Sequence, residues 1–306
     1  MTNLKIAIIV VALLAASIVV LRSGYRYVKS SRAPLVPRGT TVHRDLAYVT
    51  NGHARQKLDL YLPKGVERPP LMILVHGGGF KEGDKREENV AQWLVEGYAV
   101  ASINYRYSWD AVFPAQVEDC KAAVRWLRAN AAKYGYDRER FGALGSSAGG
   151  YLVTMLGTTG GTTKFDVGEN LDVSSGVQAV ADRYGPIDFL QMDAHRLPGA
   201  PVNNKPDSPL SELIGGTLQD HRDKGESANP INYITKDCPP FFIVHGDGDL
   251  LVPHHQSELL AAALAKAGVP VTLYTVKGGG HGGFDDPIAE TVVREFFARH
   301  LKPAVK

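Results

Sequence analysis

Two short apolar runs limit this chain most: "LMILVHGGG", starting at Leu71, and "YAVASINY", from Tyr98 to Tyr105. Neither alternates polar with apolar residues, and both are too short for a buried helix. Each therefore reads as a strand covered on both faces. Between them "EENVAQWLVEGY" carries helical spacing and stops at Gly97. Further on, "FPAQVEDCKAAVRWLRANAAKYG" reads as a long helix ended by Gly135, and "RFGALG" as a strand. "GVQAVADRYGP", "PPFFIVHGD" and "PVTLYTVKGGG" read as three more strands, and Ser257 to Ala267 and Ile288 to His300 as helices. An earlier segment, "QKLDLYLP", alternates with period two and ends at a proline, the pattern of a half-exposed strand. Strand and helix in alternation predict an α/β fold, a mostly parallel central sheet with helices on both faces.

The rhythm breaks over roughly residues 158–236, where Gly, Pro, Asn and Asp are frequent and helical pieces such as "SPLSELIGG" are short. This stretch reads as a small irregular cap over the carboxyl edge of the sheet. The globular part is expected over 42–306, and 44% hydrophobic residues suffice for one core. Ahead of it, "IAIIVVALLAASIVVL" (Ile6 to Leu21) is a continuous apolar run with Lys5 before it and Arg22, Arg26, Lys29 and Arg32 after it. Residues 1–22 read as a signal peptide or a membrane anchor, and 23–41 as a linker. Either reading puts the protein outside the cytoplasm (periplasmic or secreted) or at a membrane, with the topology open.

A net charge of +2, with no basic stripe, argues against nucleic acid as the main partner. There is no H-E-x-x-H, and His254-His255 reads as surface, so no metal or other cofactor is expected. Cys120 and Cys238 read as buried thiols, a disulfide being open to an exported chain.

The chemistry is concentrated in "FGALGSSAGGYLV" (Phe141 to Val153). Gly145-Ser146-Ser147-Ala148-Gly149 satisfies G-x-S-x-G only with Ser147 at the centre. Centring on Ser146 puts Leu144 and Ala148 at the flanks, and the frame fails. A nucleophile on a sharp strand-to-helix turn is crowded by any Cβ two residues to either side. Upstream, "VHGGGF" (Val75 to Phe80) follows a strand and offers bare backbone N–H groups to an oxyanion, joined by that of Ala148. In this arrangement the order along the chain is serine, acid, histidine. His281, in "KGGGHGGF", is the base; His245 reads as packing at a strand end, His254 and His255 as exposed, and His221 as part of the cap. "IVHGDGDLLVP" offers Asp249 as the acid, with Asp247 as the alternative.

These motifs resemble the α/β-hydrolase esterases. "HGGGF", "GSSAGG" and "INYRYSWDAVFPAQVEDCKAAVRWL" are similar to both hormone-sensitive-lipase-like carboxylesterases and the feruloyl and acetyl-xylan esterase-like (BD-FAE) group. "HGGGFKEGDK", "YGPIDF" and "PPFFIVHGDGDLLVPHHQSELL" look more like the latter, and the likeness covers roughly Val42 to Lys302. The resemblance implies an α/β-hydrolase fold and a serine carboxylesterase acting on short-chain, aryl or acetyl esters, small or polysaccharide-linked. It implies Ser147, Asp249 and His281 as the triad and Gly78, Gly79 and Ala148 as oxyanion donors. The acid of the family stands four residues before a proline, here Pro253, which favours Asp249. One departure is Ser146, where such esterases usually carry Glu or Asp; it bears on pH dependence and neighbouring hydrogen bonds.

Phe80, Tyr105 and Tyr184, at strand ends, are the expected pocket walls. An arylformamidase shares a similar His-Gly-Gly loop and stays open. A prolyl-oligopeptidase-like peptidase resembles G-x-S-Y-G-G at the turn, where this chain has Ser147-Ala148-Gly149-Gly150. From another class, a non-catalytic hydrolase-fold binding protein typically lacks a triad member, and none is missing here.

Overall fold

The computed structural model describes residues 35–284 and 286–302. Eight strands, β1 (Thr41–Ala47), β2 (Lys57–Leu62), β3 (Leu71–Val75), β4 (Ala99–Ile103), β5 (Phe141–Ser146), β6 (Ala179–Arg183), β7 (Phe241–Gly246) and β8 (Val271–Val276), make one sheet in the order β1-β2-β4-β3-β5-β6-β7-β8. β1 and β2 run antiparallel to their neighbours, and the six remaining strands are parallel. The α-helices among the described residues are α1 (Ala91–Val95), α2 (Ala115–Ala129), α3 (Ala131–Tyr134), α4 (Ala148–Thr159), α5 (Pro209–Ile214), α6 (Arg222–Ser227), α7 (His255–Lys266) and α8 (Pro287–Leu301).

The continuous apolar runs do what their pattern requires. Leu71, Ile73 and Val75 of β3 pack into one core with Val117, Cys120 and Val124 of α2, Leu152 and Leu156 of α4, and Leu260 of α7. Met72 and Leu74 point the other way, into a second core with Trp93 of α1 and Val293 and Phe297 of α8. Burying each such aliphatic side chain contributes about 1.5–3 kcal/mol, so a strand without a polar face is held only by helices on both sides.

All seven strands expected from the sequence are present. β1, "TVHRDLA", was not foreseen: it is a largely exposed edge strand with an irregularity between His43 and Leu46, and its polar residues hide the strand pattern. β2 is not half-exposed as expected, because β1 covers its edge and Asp59 turns inward. That carboxylate is fully buried and met by Lys85 Nζ at 2.7 Å and Arg44 Nη1 at 3.1 Å. The long helix is broken at Asn130 into α2 and α3. Cys120 is buried, whereas Cys238 is only partly covered, and both are free thiols. The expected signal or anchor, residues 1–22, and most of the linker lie outside the described residues; among the described residues no helix is long and apolar enough to cross a membrane.

Register sets where the strands end. Val75 pairs with Gly145, Ser146 with Arg183, Arg183 with Val244, and Gly246 with Val276. The carboxyl ends of β3, β5, β6, β7 and β8 are therefore level, and the loops leaving them meet at one edge.

Candidate active site

Ser147 stands between β5 and α4 at φ 56°, ψ −120°, a backbone conformation that costs a residue with a Cβ about 1–3 kcal/mol. Packing enforces it. Ser147 N–H donates to Arg183 O at 2.8 Å, and Ser147 O accepts from Tyr151 N–H at 3.1 Å. The flanking glycines allow the turn: a Cβ on Gly145 would lie 2.2 Å from Gly149 O, so strand and helix pass at backbone contact. Ser146, the last residue of β5, instead neighbours the Tyr184 phenol.

The glycine loop after β3 lies against this turn. A Cβ on Gly77 would sit 2.8 Å from Ser146 O and 3.4 Å from Ser147 Cβ. Gly78, at φ 110°, reverses the chain, and its carbonyl accepts from Lys81 N–H at 3.0 Å and Glu82 N–H at 2.9 Å. Gly78 and Gly79 thus border the same cleft as Ser147 and Ala148. Ala148 opens α4, so its N–H is one of those that helix geometry leaves without an intrahelical acceptor, and the helix dipole favours negative charge there.

His281 reaches Ser147 from the loop after β8. Its Nε2 is 2.9 Å from Ser147 Oγ, and its Nδ1 is 2.6 Å from Asp249 Oδ2. Asp249 is almost wholly buried. Burial alone pushes its carboxyl up, but hydrogen bonds from His245 and His281, the His281 charge and the Val252 N–H together hold it well below the usual carboxylate range. Asp247 stands elsewhere, accepting from Gly278 N–H at 2.6 Å and Lys277 Nζ at 3.2 Å. It ties down the loop that carries the histidine and does not contact the imidazole.

The cleft over Ser147 has a volume of about 790 Å³. Phe80 and Tyr184 line it, the latter with its ring 4.8 Å from that of His281, edge to face. Tyr105 does not. It is buried behind the glycine loop, stacked on His76 at 4.5 Å, with its hydroxyl donating to His76 O at 3.0 Å. The parallel pairing of β3 and β4 ends at Val75 and Ile103, so His76 and Tyr105 leave neighbouring strand ends.

The cap is also smaller than the sequence implied. β6 belongs to the sheet, and Gln178, ahead of it, pairs with Phe141 at the start of β5, the opposite edge. The part over Ser147 comes from the β6–β7 connection, including Met192, Asn203, Ser208 and Leu210. Lys81 Nζ and Glu212 Oε2, 2.6 Å apart, join it to the glycine loop.

Among the other histidines, His254 and His255 are half-buried, not exposed: His254 Nε2 is 2.9 Å from Thr275 Oγ1, and His255 stacks on His195 with ring centroids 3.5 Å apart. His245 was expected only to pack, yet its Nε2 is 3.1 Å from Asp249 Oδ2. Its place four residues before the acid was the available signal. Among the described residues no group of three or more His, Cys, Asp and Glu side chains is placed to hold a metal ion.

The level strand ends, the strained serine turn and the serine–histidine–aspartate line on loops after β5, β7 and β8 are those of an α/β-hydrolase fold. The chain belongs to the BD-FAE family, whose model matches residues 58–264. Esterase LipQ of Mycobacterium tuberculosis is 32% identical over 232 residues, 74% of this chain and 52% of LipQ. A truncated form of a carbohydrate esterase from gut microbiota superposes with a TM-score of 0.81 at 32% identity, over 89% of this chain and 100% of that one. A bifunctional GH43-CE protein of Bacteroides eggerthii gives 0.77 at 35% identity, over 85% of this chain and 38% of that one. The chain spans about half the length of the curated relatives it matches.

Proposed function

We propose that this protein is a serine carboxylesterase hydrolysing short-chain, aryl or acetyl esters, on small molecules or on polysaccharides. The observation that carries this reading is the unbroken line from Ser147 Oγ through His281 to Asp249, with separations of 2.9 and 2.6 Å, beside three backbone N–H groups. The esterase names of LipQ and of the gut-microbiota carbohydrate esterase support it. A cleft of about 790 Å³ is within the usual range for small ligands, and its cap side offers polar groups such as Asn203 and Ser208 to an alcohol rich in hydroxyls.

Ser147 Oγ attacks the ester carbonyl carbon while its proton passes to His281 Nε2. The tetrahedral oxyanion faces the N–H groups of Gly78, Gly79 and Ala148, and Asp249 steadies the imidazolium. His281 then protonates the departing alkoxide as the carbon–oxygen bond breaks, leaving an acyl-Ser147 ester. Water, giving its proton to His281, attacks that ester; the acid leaves and Ser147 recovers the proton. No cofactor enters the cycle.

The test is a panel of p-nitrophenyl esters of increasing acyl length, acetylated xylan, methyl ferulate and N-formylkynurenine, with Ser147→Ala and Ser146→Ala alongside. Activity lost in Ser147→Ala and kept in Ser146→Ala is expected. Activity surviving in Ser147→Ala, or none on the whole panel, overturns the reading. The same proposal takes 42–306 as the catalytic domain and residues 1–22 as its export signal or anchor. Fractionation of the full chain showing only cytoplasmic protein would remove that second part.

A further inference from the structure

His245 is the penultimate residue of β7 and is wholly buried, and the chemistry above uses none of its atoms. Its Nε2 lies 3.1 Å from Asp249 Oδ2 and 3.0 Å from Val252 O. A carboxylate and a carbonyl only accept, so Nε2 carries the proton. Nδ1 lies 2.7 Å from Ser257 Oγ on α7, and in the neutral ring that hydroxyl donates to it. One neutral tautomer therefore satisfies every polar contact of the ring.

Asp249 has a matching account. Oδ1 accepts from Leu251 N–H at 2.7 Å and Val252 N–H at 3.0 Å; Oδ2 accepts from His281 Nδ1 at 2.6 Å and His245 Nε2 at 3.1 Å. The two amides hold one end of the carboxylate. His245 holds the other, from the sheet side, and shares with His281 a single oxygen.

We propose that His245 is a positioning residue for the ester hydrolysis: from the sheet side it sets the carboxylate plane so that Oδ2 meets His281 Nδ1. This rests on the reading of Ser147, His281 and Asp249 as the reacting line. Hydrogen-bonded partners outside the reacting groups act in this way at other sites, where their loss costs about 10–100-fold. The titratable and charged groups facing His245 are Asp249 on the following loop, Asp182 on β6, Tyr184 after it with its ring 6.4 Å away, and His254 before α7 at 5.4 Å.

The experiment compares kcat and KM of the full chain, His245→Gln, His245→Asn and His245→Leu on p-nitrophenyl acetate, with circular dichroism to confirm folding. Gln carries an amide N–H to about the position of Nε2; Asn is too short to reach Asp249; Leu has no donor. Expected for Asn and Leu is a kcat about 10–100-fold lower at nearly unchanged KM. Gln should restore kcat to within about threefold. Folded Asn and Leu variants with the parent kcat, a loss carried by KM instead of kcat, or a Gln variant no better than Asn would each overturn the proposal. If Leu fails to fold, the Gln–Asn pair decides alone. Ser147→Ala on the same substrate separates the two readings. An active Ser147→Ala overturns the reacting line itself, whereas an inactive one beside parent-like His245 variants overturns only the role of His245.

Discussion

A Cβ placed on Gly149 would lie 2.0 Å from the carbonyl oxygen of Val75. The first turn of α4, which follows Ser147, thus sits directly on the end of the strand that launches the glycine loop. Ser147 and the glycine loop are set against each other by backbone contact, which no rotamer change can relieve.

Gly149→Ala should therefore displace the serine turn from the loop. A misplacement of about 1 Å costs on the order of 100-fold in rate, and kcat/KM should fall by about that much, with a lower Tm. Gly161→Ala is the control, because no atom lies within 4 Å of the added carbon and the glycine is not at positive φ. Steady-state kinetics and a melting curve on both variants check this; equal behaviour would mean that the contact yields.

Asp249→Asn and Asp247→Asn should separate the two aspartates. The first leaves His281 without its anionic partner and should lower kcat by roughly 10³–10⁴-fold. The second loosens an exposed tie to Lys277 and Gly278 and should change kcat by less than about threefold. The reverse ranking would hand the acid's role to Asp247.

His76 gives a pH dependence of stability. Burial, followed by the nearby Arg55 charge, brings its imidazole down to about 4, against a backbone hydrogen bond to Gly77 that acts the other way. The folded value is below the unfolded one of 6.5, so the unfolded chain binds the proton first and stability falls as pH drops from 6.5 towards 4. The full effect is about 3 kcal/mol. Asp182, which burial raises to about 6, acts in the opposite sense, since the folded protein takes up its proton first. Urea unfolding of the parent and of His76→Asn at pH 7 and pH 4 cancels that contribution in the difference. The parent should lose about 3 kcal/mol more than the variant across this interval. Parallel losses would show that His76 is not the group responsible.

Lys121 closes the far end of α4. Its buried Nζ donates to Thr159 O at 3.0 Å, Thr162 O at 3.0 Å and Lys164 O at 2.6 Å, and lies 3.5 Å from Asp166 Oδ2. Lys121→Met removes the donor and leaves these carbonyls facing an apolar chain, a loss of about 3 kcal/mol. At a temperature where the variant stays folded, kcat/KM should remain within about threefold, because α4 separates the change from Ser147. An unchanged Tm would show that water replaces the ammonium without cost.

By itself the sequence determined the sheet interior and the turn on which Ser147 stands. Strands β3 to β7 are legible because a strand covered on both faces shows no polar–apolar alternation, and the turn at Ser147 because only glycine tolerates backbone contact at residues 145 and 149. His281 is legible from the glycines around it and its order after the serine. Tertiary structure alone decided what depends on neighbours remote in the chain. β1 exists through its pairing with β2, Asp59 can be buried because Lys85 and Arg44 reach it, and Tyr105 turns inward onto His76. Between Asp249 and Asp247 the sequence already favoured Asp249, and the structure adds which of the two meets His281. Two residues apart in one loop, they diverge because the level ends of β7 and β8 aim one at the imidazole and the other at the backbone of the loop that holds it.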